Sequence, residues 1–195
     1  MSWLVVGLGN PGPEYAQSRH NVGFLVLDVL VSRWGLSKSA FRHKFGSEIL
    51  QAEWGGHKLQ LQKPMEYMNV SGGPIQRAMA FFRIELDRVI VVHDDIDLEL
   101  GRVKVKKGGG HGGHNGLRSI SQSIGPDYLR VRGGVGRPGG SSGGKNDRVV
   151  GHVLGAFNRA EQITLAQELD SMADAVEDLI AHGVTYAMNR YNGAA

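Results

Sequence analysis

The sequence predicts an α/β protein in which residues 1–195 form one domain. Short, wholly apolar runs at 4–6 and 89–92 have the character of strands buried on both faces of a sheet, as parallel strands are. Longer stretches with helical apolar spacing, at 22–34 and 165–179, lie among them. The length suits a single core, and no linker or internal repeat divides the chain.

Leu4, Val5 and Val6 are closed by Gly7 and Gly9, the pattern of a strand reaching its carboxyl edge, where open α/β sheets bind ligands. Asn10 follows at an elbow stiffened by Pro11 and Pro13, and His20 stands between Arg19 and Asn21. Gly7, Gly9 and Gly12 match the spacing of a dinucleotide fingerprint. That reading is disfavoured, because Pro11, Pro13 and further non-periodic residues keep a helix from opening on the glycines. The acid such a site needs is also misplaced, since Asp28 lies within the helical run.

The helix over 22–34 should end near Gly35. Residues 46–53 and 57–63 read as two strands of a hairpin turned by Gly55-Gly56, and Pro64 stops the second. A polar loop carrying Met68 and Asn69 precedes a helix at 74–82. The strand at 89–92 ends in HDDID. RVKVKK, 102–107, alternates so that Lys104 and Lys106 share a face. GGGHGGHNG, 108–116, can bring backbone amides close to a ligand but lacks the Lys-Ser/Thr of a P-loop. A helix at 117–124 has Asn115 near its N-cap, and a strand at 128–135 carries Arg130 and Arg132 on one face. The Gly/Ser-rich 138–146 is expected to be mobile, and 149–154 to be a last strand. Leu165, Leu169, Met172, Val176 and Leu179 mark an amphipathic helix whose acidic side faces water.

Composition narrows the chemistry. With no cysteine, disulfides, thiolate catalysis and cysteine-held metals are excluded. No stretch approaches the ~18 apolar residues of a membrane span, and the opening Met-Ser-Trp is unlike a signal peptide, so a cytoplasmic protein is expected. The net charge of +3 is unevenly spread. Ten Lys and Arg lie between Arg102 and Arg148 against Asp127 and Asp147, whereas 161–178 holds six acids and no Lys or Arg. Such a surface suits oriented binding of a phosphate backbone.

Polar side chains cluster at predicted strand ends: Asn10 and His20, then His93, Asp94, Asp95 and Asp97, then His111, His114 and Asn115, with Asn69 a fourth site. His20 paired with Asp94 would be a general base whose carboxylate fixes the tautomer, and the asparagine amides are neutral donors for an oxyanion or carbonyl. No G-x-S-x-G elbow supports a nucleophilic serine. A metal held by His93, Asp94, His111 and His114 is the competing reading, although their spacing is not diagnostic.

GLGNPGPEYAQSRHNVGF, KPMEYMNVSG, HDDIDL, GRVKVKKGGGHGGHNGLRSI and VRGGVGRPG, in this order and over nearly the whole chain, closely resemble the bacterial peptidyl-tRNA hydrolase family. The resemblance implies a mixed twisted sheet surrounded by helices, a monomer, and no metal or organic cofactor. It also implies hydrolysis of the ester between a peptide and the 3′-terminal ribose of tRNA, with the acceptor stem and 3′ end as the parts bound. By resemblance, His20 is the catalytic base, Asp94 its orienting acid and Asn10 the amide near the scissile ester. Asn69 and Asn115 are substrate-binding amides, Met68, His114 and Tyr15 line the substrate site, and Lys104, Lys106 and Arg132 clamp tRNA phosphate. Glu66, Ser18, Gly133 and a longer loop at 139–144 depart from the pattern, Gly133 putting the strand around Arg132 in question. A non-catalytic RNA-binding module of the same fold is the alternative, against which the intact His20 and Asp94 stand.

Overall fold

The computed structural model describes residues 2–139 and 144–193. Its strands are β1 (Ser2–Gly7), β2 (Arg42–Lys44), β3 (Ser47–Trp54), β4 (His57–Pro64), β5 (Val89–Asp95), β6 (Val103–Lys107) and β7 (Leu129–Gly134). Its α-helices are α1 (Val22–Arg33), α2 (Gly72–Phe82), α3 (Asn115–Ile124), α4 (Lys145–Leu154), α5 (Arg159–His182) and α6 (Val184–Asn192). The strands form one seven-stranded sheet in the order β2-β3-β4-β1-β5-β7-β6. The central β4, β1, β5 and β7 are parallel, and antiparallel pairings add β3 and β2 at one side and β6 at the other. This is the mixed α/β architecture that the resemblance implied.

Alternation along each strand divides the core into two layers. Val5, Ile90, Val92 and Val131 pack with α1, α5 and α6, whereas Leu4, Val6, Val89 and Val91 face α2 and α3. α1 starts directly against the sheet because two glycines meet there. A Cβ on Gly7 would lie 2.3 Å from the Gly23 carbonyl oxygen, and one on Gly23 would lie 2.4 Å from that of Val92. Gly7, which mimics a cofactor fingerprint, thus serves helix–strand contact.

The Gly55-Gly56 hairpin forms as expected, with φ of 58° and 79° and Trp54 paired with His57, the type I′ geometry that matches strand twist. A second turn was not foreseen: Phe45 and Gly46, at φ 57° and 68°, fold β2 onto β3. α2 begins at Gly72 rather than at Pro74. The expected strand at 149–154 is instead the body of α4; Val149, Val150 and Val153 have the spacing of a helix face, and a short apolar run is ambiguous between the two. Of the segment expected to be mobile, 140–143 lie outside the described residues, and Lys145 and Asn146 open α4.

The acidic side of α5 does not simply face water. Arg33 Nη1 donates to Asp174 at 2.7 Å, Trp34 Nε1 to Glu177 at 2.9 Å and Arg190 to Asp178 at 2.8 Å. α6, absent from the sequence reading, covers the sheet's edge: Asn192 accepts from the Val105 N–H at 2.8 Å and donates to the Val105 carbonyl at 2.6 Å, filling ladder positions that an edge strand leaves open. Among the described residues no helix is long and apolar enough to cross a membrane.

Candidate active site

Parallel strands β1, β4, β5 and β7 end at one edge of the sheet, so the segments leaving them converge there. β5 carries His93 and Asp94 to that edge. The exit from β1 runs through Asn10 to a 3-10 turn, Arg19–Asn21, that presents His20. The glycine-rich segment after β6 leads into α3 with His114 as N-cap.

These three segments build a buried centre. Asp94 is 1% exposed and His20 8%. His20 Nδ1 lies 2.9 Å from both carboxylate oxygens of Asp94, and His114 Nε2 lies 2.9 Å from Oδ1. A carboxylate only accepts, so both nitrogens turned to it carry protons. His114 Nδ1 accepts from the Gly116 and Leu117 N–H groups at 3.1 and 3.3 Å, so one ring caps α3 and holds Asp94. His20 lines the cleft and keeps its Nε2 as a free acceptor.

Burial alone would push the Asp94 carboxyl up, but the charges and hydrogen bonds of His20 and His114 outweigh it and hold the group well below the usual range. For His20, burial works downward, and attraction to Asp94 with its hydrogen bond overturns that, leaving the imidazole raised. His93 is pushed down to about 3 by burial and then by His114, and its Nδ1 donates to the Asp94 backbone carbonyl at 2.7 Å. His93 therefore stays neutral behind the centre.

The cleft has a volume of about 690 Å³, a size typical of ligand sites. His20, Asp94, His114 and Asn115 form one wall, and Lys106 and Arg132 another. Val149, Val150 and Val153 of α4 supply an apolar side. The β6–β7 register pairs Lys104 with Arg132 and Lys106 with Arg130, which puts four cations on one face of the sheet. Arg130, counted above with the polyanion-binding charge, is fully buried and donates to the carbonyls of Gly109, Gly110 and Pro126; it ties down the glycine segment. Lys106 is pushed down by burial and then by the Arg130 and Arg132 guanidiniums.

Not every candidate reaches this cleft. Asn115 does, as the first residue of α3 and next to its N-cap His114, as expected. Asn10 is buried and lines a second cleft of about 340 Å³ with Phe24 and Phe41; its Oδ1 accepts from the Met68 N–H at 2.8 Å. Met68 sits behind His114: a Cβ on Gly116 would meet Met68 Sδ at 2.6 Å and His114 Cε1 at 3.0 Å. Asn69 is exposed on the turn Met68–Val70, Tyr15 is half-buried, and Lys104 stands beside Arg132; none of the three lines the cleft. Sequence reasoning missed the bond from His114 to Asp94 and the ion pair from Arg132 Nε to Asp95 at 2.9 Å. Alternation in LRVRGG was the one signal for the latter.

The metal set read from the sequence does not assemble. Among the described residues, the groups with donor atoms close enough for an ion are His20, Asp94 and His114, whereas His111 Nδ1 accepts from the Gly113 N–H at 2.9 Å. Gly133, the questioned departure, lies in regular strand opposite Asp94; a Cβ there would meet Met172 Sδ at 2.4 Å, so Met172 occupies the space of the missing side chain. Glu66 pairs with Arg77 at 3.0 Å, and Ser18 donates to Asn21 at 3.3 Å.

Fold and site define an α/β protein with an imidazole–carboxylate centre at a sheet edge beside a cationic shelf. The sequence model described as peptidyl-tRNA hydrolase matches residues 4–195, and the chain belongs to that family. It is 48% identical over 198 residues to the peptidyl-tRNA hydrolase of Renibacterium salmoninarum, covering 99% of this chain and 98% of that one. With that of Frankia casuarinae it shares 46% over 191 residues, covering 97% and 93%. The crystal structure of peptidyl-tRNA hydrolase from Acinetobacter baumannii superposes with a TM-score of 0.88 at 39% identity, covering 98% of this chain and 94% of that one.

Proposed function

We propose that the protein hydrolyses the ester joining a peptide, or an N-blocked amino acid, to the 3′-terminal ribose of tRNA, returning free tRNA to translation. The observation that carries the mechanism is the free Nε2 of His20 in the cleft, with Nδ1 committed to Asp94. His20 takes a proton from water as its oxygen attacks the ester carbonyl, and Asp94 stabilises the imidazolium that forms. When the tetrahedral intermediate collapses, the C–O bond to ribose breaks and the proton passes to the leaving 3′ oxygen. An ester has a better leaving group than an amide, so a base and oriented donors suffice without a covalent intermediate.

Asn10, its Oδ1 held by Met68, offers its amide N–H groups to the ester or peptide carbonyl, and Asn115 does so from the cleft wall. Asn69 and Tyr15 contact the peptide, and Met68 and His114 shape the floor beneath it. Lys104, Lys106 and Arg132 grip tRNA phosphate; Lys106 is lowered by burial and then by repulsion from Arg130 and Arg132, and a phosphate anion would relieve that repulsion. Phosphate contacts position the acceptor stem without reading its sequence, as suits an enzyme that accepts many tRNAs. The protein acts in the cytoplasm as a monomer of one domain, residues 1–195. Release of free tRNA from N-blocked aminoacyl-tRNA tests the activity; binding without cleavage would make the chain an RNA-binding module instead.

A further inference from the structure

We propose that Asp95 is a positioning residue that aims Arg132 at the bound phosphate, so that deleting this negative charge weakens the grip on a polyanion. The proposal rests on the clamp reading above. Both Asp95 oxygens are committed: Oδ1 accepts from the Asp97 N–H at 2.8 Å, and Oδ2 from Arg132 Nε at 2.9 Å. Its backbone carbonyl accepts from the Val135 N–H at 3.0 Å, so the chain leaving β7 fixes the backbone from which the carboxylate projects. A guanidinium has a rigid planar fork. With Nε engaged, Arg132 keeps both terminal nitrogens for two phosphate oxygens, the bidentate geometry that favours Arg at such sites. Asp95 is also the carboxylate that offsets the repulsion Lys106 feels from Arg130 and Arg132.

Charge and orientation here predict opposite signs. Asp95 lines the same cleft as Arg132, and an acid beside a phosphate repels it; by charge alone its loss would tighten binding. The Asp97–Arg137 pair provides the contrast. Arg137 directs both Nε and Nη2 to one oxygen of Asp97, and the two side chains are 52% and 50% exposed. That pair is half exposed and its two hydrogen bonds converge on one solvated oxygen, so charge governs there.

The experiment is a double-mutant cycle on intact protein, reading KM and kcat with N-blocked aminoacyl-tRNA and with a short ester lacking the tRNA body. Asp95→Ala raises KM for the tRNA substrate about five- to tenfold, less than the loss of a whole charge-assisted hydrogen bond because Arg132 itself remains, with kcat and the short ester unchanged. In an Arg132→Ala background the same substitution leaves KM unchanged or lowers it. Asp97→Ala lowers KM. Asp95→Asn, which keeps one acceptor, lies between wild type and Asp95→Ala, and thermal melting confirms that both variants fold. A lower KM for Asp95→Ala overturns the proposal, as does an equal rise in both backgrounds or a matching loss on the short ester. If Arg132→Ala itself leaves KM untouched, the clamp reading fails first, and that arm tells the two failures apart.

Discussion

At one wall of the cleft His20, Asp94 and His114 are buried, with each N–H turned to Asp94 matched by a carboxylate oxygen. At the other, Lys106 and Arg132 stand partly exposed near the sheet's edge, with Asp95 the carboxylate among three cations. His20 and Asp94 come from the exit of β1 and from β5, both central parallel strands, with His114 brought in by the segment after β6, whereas Lys106 and Arg132 stand on β6 and β7, the last antiparallel pair. A reacting centre gains from fixed geometry in low dielectric, whereas a phosphate grip must meet a large, hydrated and variable partner. Rigidity and electrostatic demand are therefore divided between the middle and the margin of one sheet.

The sharpest way to break this division is to remove the base. His20→Ala should lower kcat by about 10²–10⁴-fold, the usual worth of a positioned general base, while KM for tRNA stays near wild type because the shelf is intact. Single-turnover release of tRNA measures it; an undiminished rate would show that His20 is not the base.

Asp94→Asn tests the electrostatic half. The raised pKa of His20 means that the neutral, base-competent imidazole appears only as pH rises above the ordinary value of 6.5. Activity in wild type should accordingly climb along a limb whose midpoint lies above 6.5. With the carboxylate replaced by an amide, burial is left as the main influence and works downward, so the midpoint should move to lower pH while the plateau falls. Profiles of kcat/KM against pH read both effects. An unmoved midpoint would separate Asp94 from the titrating group.

The two walls were unequally legible. Pairing of His20 with Asp94 could be anticipated because short apolar runs ending in polar residues mark parallel strands, and parallel strands deliver their loops to one edge. His114 reads from the sequence as a wall residue or a metal ligand, because nothing in GGGHGGHNG tells which histidine will cap α3 and turn its far nitrogen to Asp94. On the shelf, alternation in RVKVKK and LRVRGG put the cations on one face but could not distinguish Arg132, partly exposed and paired with Asp95, from Arg130, fully buried with its guanidinium bound to carbonyls. α6 escaped notice because it is short and follows directly on the Gly183 that ends α5, and β2 because RHK has no apolar pattern at all.

The smallest expected effect belongs to the shelf and depends on salt. Each phosphate neutralised by a cation releases counterions, so the logarithm of affinity falls with the logarithm of salt in proportion to the contacts made. Lys106→Ala should raise KM for tRNA a few-fold at low salt and reduce the slope of log KM against log salt by about one. The two curves then converge as salt rises, since the lost contact is the one that salt would have weakened. His20→Ala should leave that slope unchanged, because His20 is engaged with Asp94 and not with phosphate. Parallel salt titrations of the two variants decide the matter: a flattened slope in both, or in neither, would mean that base and clamp are not the separate structures their burial and partners describe.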